Sequence, residues 1–195
     1  IMRKSTKIIG AVGVGMFAVV LLFALFGPMV IPYDAYKQVG GSFLPPSAQH
    51  WLGTNDMGQD ILAELAVGAR TSLFIGMMTA ILATLIGGFI GVLAGYIGGR
   101  FETFVMRVID IVLTLPFLPL MIVVAVYIGP GVFTQIFVIT LVLWAGKARQ
   151  IRAQTLSIKS AGPVLAAKTM GASDFYIFRR HIIPGVFPLF IPQFV

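Results

Sequence analysis

The sequence predicts an all-α fold, a multi-pass transmembrane helical bundle, on three observations. Of the 195 residues, 58% are hydrophobic and only 11% charged, too little charge to cover the surface of a soluble domain of this length. The apolar residues fall in long blocks, with no charge over residues 8–33, 71–99 or 111–146. Lys and Arg are also shared unevenly among the segments between these blocks.

Each block is read as helix because backbone polar groups in lipid must be satisfied within their own element. A closed barrel would show short alternating segments, and none occur. About 20 apolar residues cross a hydrocarbon core of roughly 30 Å. The first two blocks each suffice for one span. The third suffices for two, and Gly129-Pro130-Gly131 divides it where a turn is needed. Four spans are therefore expected at residues 8–31, 72–97, 105–128 and 132–145. The first is read as a retained span, since it exceeds a signal-peptide core and no small-residue cleavage pattern follows it.

Arg3, Lys4 and Lys7 precede the first span without an acid. The next connection carries Asp34, Asp56, Asp60 and Glu64 against Lys37 and Arg70, and the one after it balances Arg100 and Arg107 against Glu102 and Asp110. After the fourth span come Lys147, Arg149, Arg152, Lys159, Lys168, Arg179 and Arg180 against Asp174. Lys and Arg are retained on the cytoplasmic side, so both basic segments are expected inside and the 33–70 connection outside. This topology also accounts for the net charge of +7, so no nucleic-acid partner is inferred. The organisation read is residues 1–70 as span plus extracytoplasmic loop, then 71–195 as the main bundle. The apolar run 187–195 is read as the start of a further span.

A catalytic site is not expected. Gly146-Lys147 lacks the upstream glycine and the following hydroxyl of a phosphate-binding loop. No H-E-x-x-H or G-x-S-x-G run occurs. His50 and His181 fall on opposite sides of the expected topology, and there is no cysteine, so no metal site is expected. Gly87, Gly91, Gly95 and Gly99 recur at four-residue spacing and are read as a packing stripe between helices of one bundle, in preference to a dimer seam. Arg107 and Asp110, three apart at the start of the third span, are read as an interfacial structural pair rather than an ion relay. Pro116 and Pro119 follow, where they could kink that span.

The loop from His50 to Asp60 reads as turns, with 61–70 a short helix entering span two. After the fourth span, residues 163–170 read as a short helix stopped at Gly171. Ser173 or Asp174 then caps a second helix over 175–181, ended by Pro184. The plain reading of this helix–turn–helix is an amphipathic connector, one that could hold anionic lipid headgroups.

Ala166, Ala167, Lys168, Thr169, Met170, Gly171, Ala172 and Ser173, followed by Ile177, Phe178, Arg180, His181, Ile183 and Pro184, resemble the EAA loop of bacterial ABC importer permeases. The run from Leu52 to Leu62, with Gly68 to Leu73, resembles the dipeptide/oligopeptide/nickel branch of that family, in its second permease subunit type. So do Gly95-Tyr96-Ile97-Gly98-Gly99 and Met106 to Asp110. The resemblance runs from about Leu44 onward, and several motifs in the right order make it specific. One position departs: Leu165 stands where the family's named acid is expected, so that carboxylate's contact does not carry over.

The resemblance implies a non-catalytic permease of a bacterial or archaeal cytoplasmic membrane, with six spans, so two more are expected after Pro184. It implies a second, similar permease, two ATP-binding subunits and an extracytoplasmic substrate-binding protein as partners, with membrane lipid around them. ATP and Mg would sit on the partner subunits and no cofactor on this chain. Residues 160–184 would be the cytoplasmic coupling loop, with Ala166, Ala167, Lys168, Gly171, Ala172, Ser173 and Asp174 docking to the ATPase. A secondary carrier and a structural membrane subunit are the alternatives. The first should carry mid-span ionisable groups, which these spans lack, and the second leaves the motif set unexplained.

Overall fold

The computed structural model describes residues 2–190, and among them every regular element is helical. The chain divides into two compact units, Ile1–Phe74 and Ile75–Val195. Helix α1 (Met2–Val30) belongs to the first. Helix α2 (Ile61–Ile97) begins there and continues into the second, which also holds α3 (Gly99–Thr114), α4 (Phe117–Ile128) and α5 (Val132–Lys159). Short helices follow: α6 (Gly162–Thr169), α7 (Asp174–Ile177), a π-helical turn Phe178–Ile182, α8 (Ile183–Val186) and a 3-10 turn Phe187–Leu189. The apolar run 187–195, expected to open a further span, lies from residue 191 onward outside the described residues.

Among the described residues three helices are long and apolar enough to cross a membrane: Ile8–Val30, Ile61–Ile97 and Val132–Lys159, with mean hydropathies of 2.7, 2.2 and 1.3. A fourth crossing is available only if α3 and α4 are taken together, and they are bent by 83°. The expected span at 105–128 is thus two helices, broken at the prolines where a kink was expected. Pro116 is the cause: it disfavours helix at the residue before it, and Leu115 is extended at φ −67°, ψ 129°. Pro119 is tolerated because it lies in the first turn of α4, where backbone N–H groups have no helical acceptor.

Two helices are longer than the expected spans. Helix α2 starts at Ile61, where the short 61–70 helix was expected, and runs unbroken into the expected span, so the two are one helix; Asp60 Oδ1 accepts the Ala63 amide at 2.9 Å and caps it. Helix α5 runs on to Lys159, since charged residues at 147–159 end an apolar stretch without ending a helix.

In the first unit, the 31–60 connection is ordered by polar contacts. His50 Nδ1 lies 2.8 Å from Asp60 Oδ2, and both side chains are buried. Thr54 Oγ1 accepts the Leu44 amide at 2.9 Å and donates to the Gly41 carbonyl at 2.6 Å. Asn55 Oδ1 accepts the Met57 and Gln59 amides, while its Nδ2 donates to Glu64 at 3.0 Å. The turns that sequence reading found here thus form one cross-braced platform.

In the second unit, α2, α3 and α5 enclose a small core of Ala94, Val105, Ile109, Ala145 and Ala148. The glycine stripe makes this approach close. A Cβ on Gly87 would lie 2.5 Å from the Trp144 carbonyl, one on Gly91 2.5 Å from the Ala148 carbonyl, and one on Gly95 2.8 Å from Thr155 Cβ. The α2 backbone therefore lies almost against that of α5. Gly99 is not part of the stripe: it opens α3 at φ +61° with nothing near its missing Cβ.

Candidate coupling site

The segment after α5 folds back on the helices it follows. Ala161 breaks the α5 direction with extended backbone, and Pro163 occupies the first turn of α6, where its missing N–H is harmless. Helix α6 ends as a Schellman motif: the Ala172 amide donates to the Ala167 carbonyl and the Gly171 amide to the Lys168 carbonyl, each at 3.0 Å. That closure needs a left-handed residue, and Gly171 supplies it at φ +82°. Ser173 then caps α7, its Oγ accepting the Tyr176 amide at 3.3 Å.

The second helix does not end before Pro184, as expected. The π turn Phe178–Ile182 shifts the hydrogen-bond register, and Pro184 falls in the first turn of α8, so the helical course continues to Val186.

A second apolar core holds this segment in place. Ile151 of α5 packs with Val164, Ala167, Ile177, Ile182 and Val186, and Val92 and Tyr96 of α2 close it from one side. Ala167 is 6% exposed and faces this core, which corrects its place on an outward docking face: at three residues' spacing from Val164 it shares the inward stripe of α6. Ala166, Lys168, Gly171, Ser173 and Asp174 are exposed, and Ala172 is partly buried. The outward surface is completed by apolar side chains: Leu165, at the position of the family's acid, and Met170, Phe175 and Tyr176, to which sequence reading gave no docking role, from 52% to 81% exposed. An acid at position 165 would lie on this surface; Leu165 makes it more apolar.

Beneath the segment runs a set of ion pairs. Arg149 of α5 binds Asp110 of α3, and Arg152 binds Glu102, its Nε at 2.6 Å from the carboxylate. The expected Arg107–Asp110 pair is therefore corrected. The long α5 carries the Arg149 guanidinium across to Asp110 of α3, so the carboxylate takes its partner from another helix and not from its own. Lys159 Nζ donates to the Tyr96 carbonyl at 2.6 Å and lies 5.5 Å from the Tyr96 ring centroid. The Tyr96 hydroxyl donates to the Asp174 carbonyl at 2.6 Å. An open cleft of about 680 Å³ lies here, lined by Tyr96, Leu156, Lys159, Val164, Lys168 and Asp174 among others. Among the described residues no three His, Cys, Asp or Glu side chains gather to hold a metal.

Comparison with known proteins places this architecture. The chain is 41% identical over 182 residues to the dipeptide transport system permease protein DppC of Bacillus subtilis (strain 168), covering 92% of this chain and 57% of that protein. It is 37% identical over 185 residues to the oligopeptide transport system permease protein OppC of the same organism, covering 94% and 61%. It is 35% identical over 174 residues to the nickel transport system permease protein NikC of Escherichia coli (strain K12), covering 89% and 63%. The chain thus spans about three fifths of the length of these relatives. Residues 87–195, which contain the glycine stripe, the ion pairs and the folded segment after α5, match the family of binding-protein-dependent transport system inner membrane components, and the chain belongs to that family.

Proposed function

We propose that the chain is the transmembrane permease subunit of an ATP-driven importer, forming half of the translocation pathway. Residues 160–184 would serve as its coupling loop. The observation that carries this reading is the α6–α7 pair: a rigid base docked on α2 and α5, with Leu165, Ala166, Met170 and Phe175 exposed on its outer side. An exposed apolar cluster of this kind on an ordered support marks a protein contact. The partner it suits is a nucleotide-binding subunit that carries the ATP and Mg. Its closure would push this base and shift the helices beneath, provided the two states differ in their contacts. A second similar permease would supply the other half of the pathway, and an extracytoplasmic binding protein would deliver the solute. Peptides and nickel complexes are the substrate classes that the names of the relatives support, with selection residing largely in the binding protein.

The Lys/Arg bias supports an orientation with the N-terminus and 147–184 in the cytoplasm and the 31–60 loop outside. An impermeant thiol reagent added to intact cells should label Ser42→Cys and leave Ser160→Cys untouched. The reverse pattern would defeat the orientation.

The decisive experiment is reconstitution. The full-length protein should co-purify with a nucleotide-binding subunit and a second permease. In liposomes these should import solute only with ATP and binding protein. A carrier or structural subunit would need no ATPase, and uptake without one would defeat the proposal.

A further inference from the structure

We propose that Tyr96 is a positioning residue, a strut that carries movement of the 160–189 segment into the end of α2; this rests on the coupling role proposed above. Helix α5 needs no such device, because it runs covalently into the segment. Tyr96 of α2 is 78 residues away in sequence from Asp174, so α2 follows the segment through packing alone: against α5 along the glycine stripe, and directly through side chains that reach the segment. Tyr96 makes such contacts on several sides. Its hydroxyl donates to the Asp174 main-chain carbonyl at 2.6 Å, at the first residue of α7. Its ring lies 4.9 Å from the Phe178 ring, tilted by 52°. Its own carbonyl accepts Lys159 Nζ at the last residue of α5.

The position along α2 suits the role. Tyr96 lies in the last turn, and Gly98 and Gly99 follow with φ of +75° and +61°, Gly99 as the first residue of α3. Two successive glycines in this conformation form a joint with little side-chain hindrance. A displacement of Asp174 therefore moves the end of α2 about that joint, on the side where Gly87, Gly91 and Gly95 lie against α5. The hydroxyl–carbonyl bond fixes the strut's length, while the ring contact alone would let α2 slide.

The test uses the assembled importer, full-length permeases with ATP-binding subunits and binding protein, and follows hydrogen exchange with and without a non-hydrolysable ATP analogue. In the wild type the analogue should alter protection in both 160–184 and 92–99. Tyr96→Phe keeps the ring and removes only the hydroxyl. It should keep the response in 160–184, lose that in 92–99, and lower solute imported per ATP by about fivefold, the factor that one net hydrogen bond represents. A merely structural hydroxyl would alter both regions together or neither, and either result overturns the strut. No response in 160–184 of the wild type would defeat the coupling role itself, and the strut with it. Should Tyr96→Phe fail to assemble, Phe178→Leu keeps the hydroxyl and loosens the ring contact. Loss of the response at 92–99 in that variant, with 160–184 still responding, would show that the ring contact and not the hydroxyl carries the movement, and also overturns the strut.

Discussion

Two connections in this chain are held by opposite materials. The 31–60 loop in the first unit is braced by polar groups: a buried His50–Asp60 pair, the Thr54 hydroxyl and the Asn55 amide, each bonded to side chains or backbone nearby. The 160–189 segment in the second unit is held mainly by apolar side chains packed on α5 and α2. Hydrogen-bonded braces are directional and fix one geometry. Apolar docking is non-directional and lets a segment shift on its support without leaving buried polar groups unsatisfied. The first construction suits a platform that keeps its shape, and the second a base that must move with its neighbours.

The comparison is broken most severely by exchanging the materials. Ala167→Arg forces a charge into the α6 core, and we expect a loss of at least about 3 kcal/mol from overpacking and charge burial together. Protease cleavage within 160–184 should rise sharply while the 31–60 loop stays resistant. Ala166→Arg, one residue away but exposed, should leave the segment folded and weaken only the proposed association with a nucleotide-binding subunit. Equal protease sensitivity of the two variants would show that Ala167 is not packed as described.

Asp60→Ala is the counterpart in the first loop. It removes the cap of α2 and leaves His50 without its buried partner, for an expected loss of about 3 kcal/mol. Asp60→Asn keeps an acceptor for the Ala63 amide and should lose clearly less. Cleavage in 31–60, measured on both variants, ranks them. An Asp60→Asn loop as labile as Asp60→Ala would mean that the His50 contact dominates and the cap contributes little.

These residues also mark where the sequence was legible. The charge-free blocks reveal the spans because lipid selects on composition, and composition survives without knowledge of any contact. The Schellman closure at Gly171 is local and equally visible. Long-range partners are not. Asp110 has Arg107 three residues away, yet it pairs with Arg149 because α5 outruns its apolar stretch. Ala166 and Ala167 look alike in sequence, and only the packing of Ile151, Val164 and Ile177 tells which is inside. His50 and Asp60 lie ten residues apart across a turn, a spacing with no period to betray it. Tyr96 was visible only as part of a glycine-flanked motif, and its tie to Asp174 depends on how the later segment folds back.

A finer comparison uses one backbone conformation in both places. Gly53 has φ +77° and Gly171 φ +82°. A Cβ on Gly53 would collide with the Leu44 carbonyl, whereas nothing lies within 4 Å of one on Gly171. Gly171→Ala should therefore cost about 1 kcal/mol of left-handed strain alone. Gly53→Ala adds displacement of a braced strand of loop, for roughly 2–3 kcal/mol in all. Thermal unfolding of the two variants, with loop cleavage as the local readout, measures the difference. Equal losses would show that the first loop yields as easily as the second.

The smallest effect concerns the exposed end of the first loop. Asp34 accepts the Tyr36 amide at 3.0 Å and pairs with Lys37 at 3.0 Å. The backbone hydrogen bond, and after it Lys37, hold its carboxyl below the usual carboxylate range. Because the folded value is depressed, the contribution to stability is full above the ordinary carboxylate range. It fades as the pH falls through the lower folded value. Solvent screens this exposed pair, so the effect should be slight. Asp34→Asn keeps an oxygen for the Tyr36 amide and loses the ion pair, and Asp34→Ala loses both. Following cleavage of 31–60 from neutral pH into the acid range, the wild-type loop should loosen slightly more than Asp34→Ala does. That excess should disappear in high salt if Lys37 is its main source, and persist if the Tyr36 amide is. Because the amide contact ranks first among the causes, persistence is the expected result. An acid-induced loosening of the same size in Asp34→Ala would assign the sensitivity to another group in the loop.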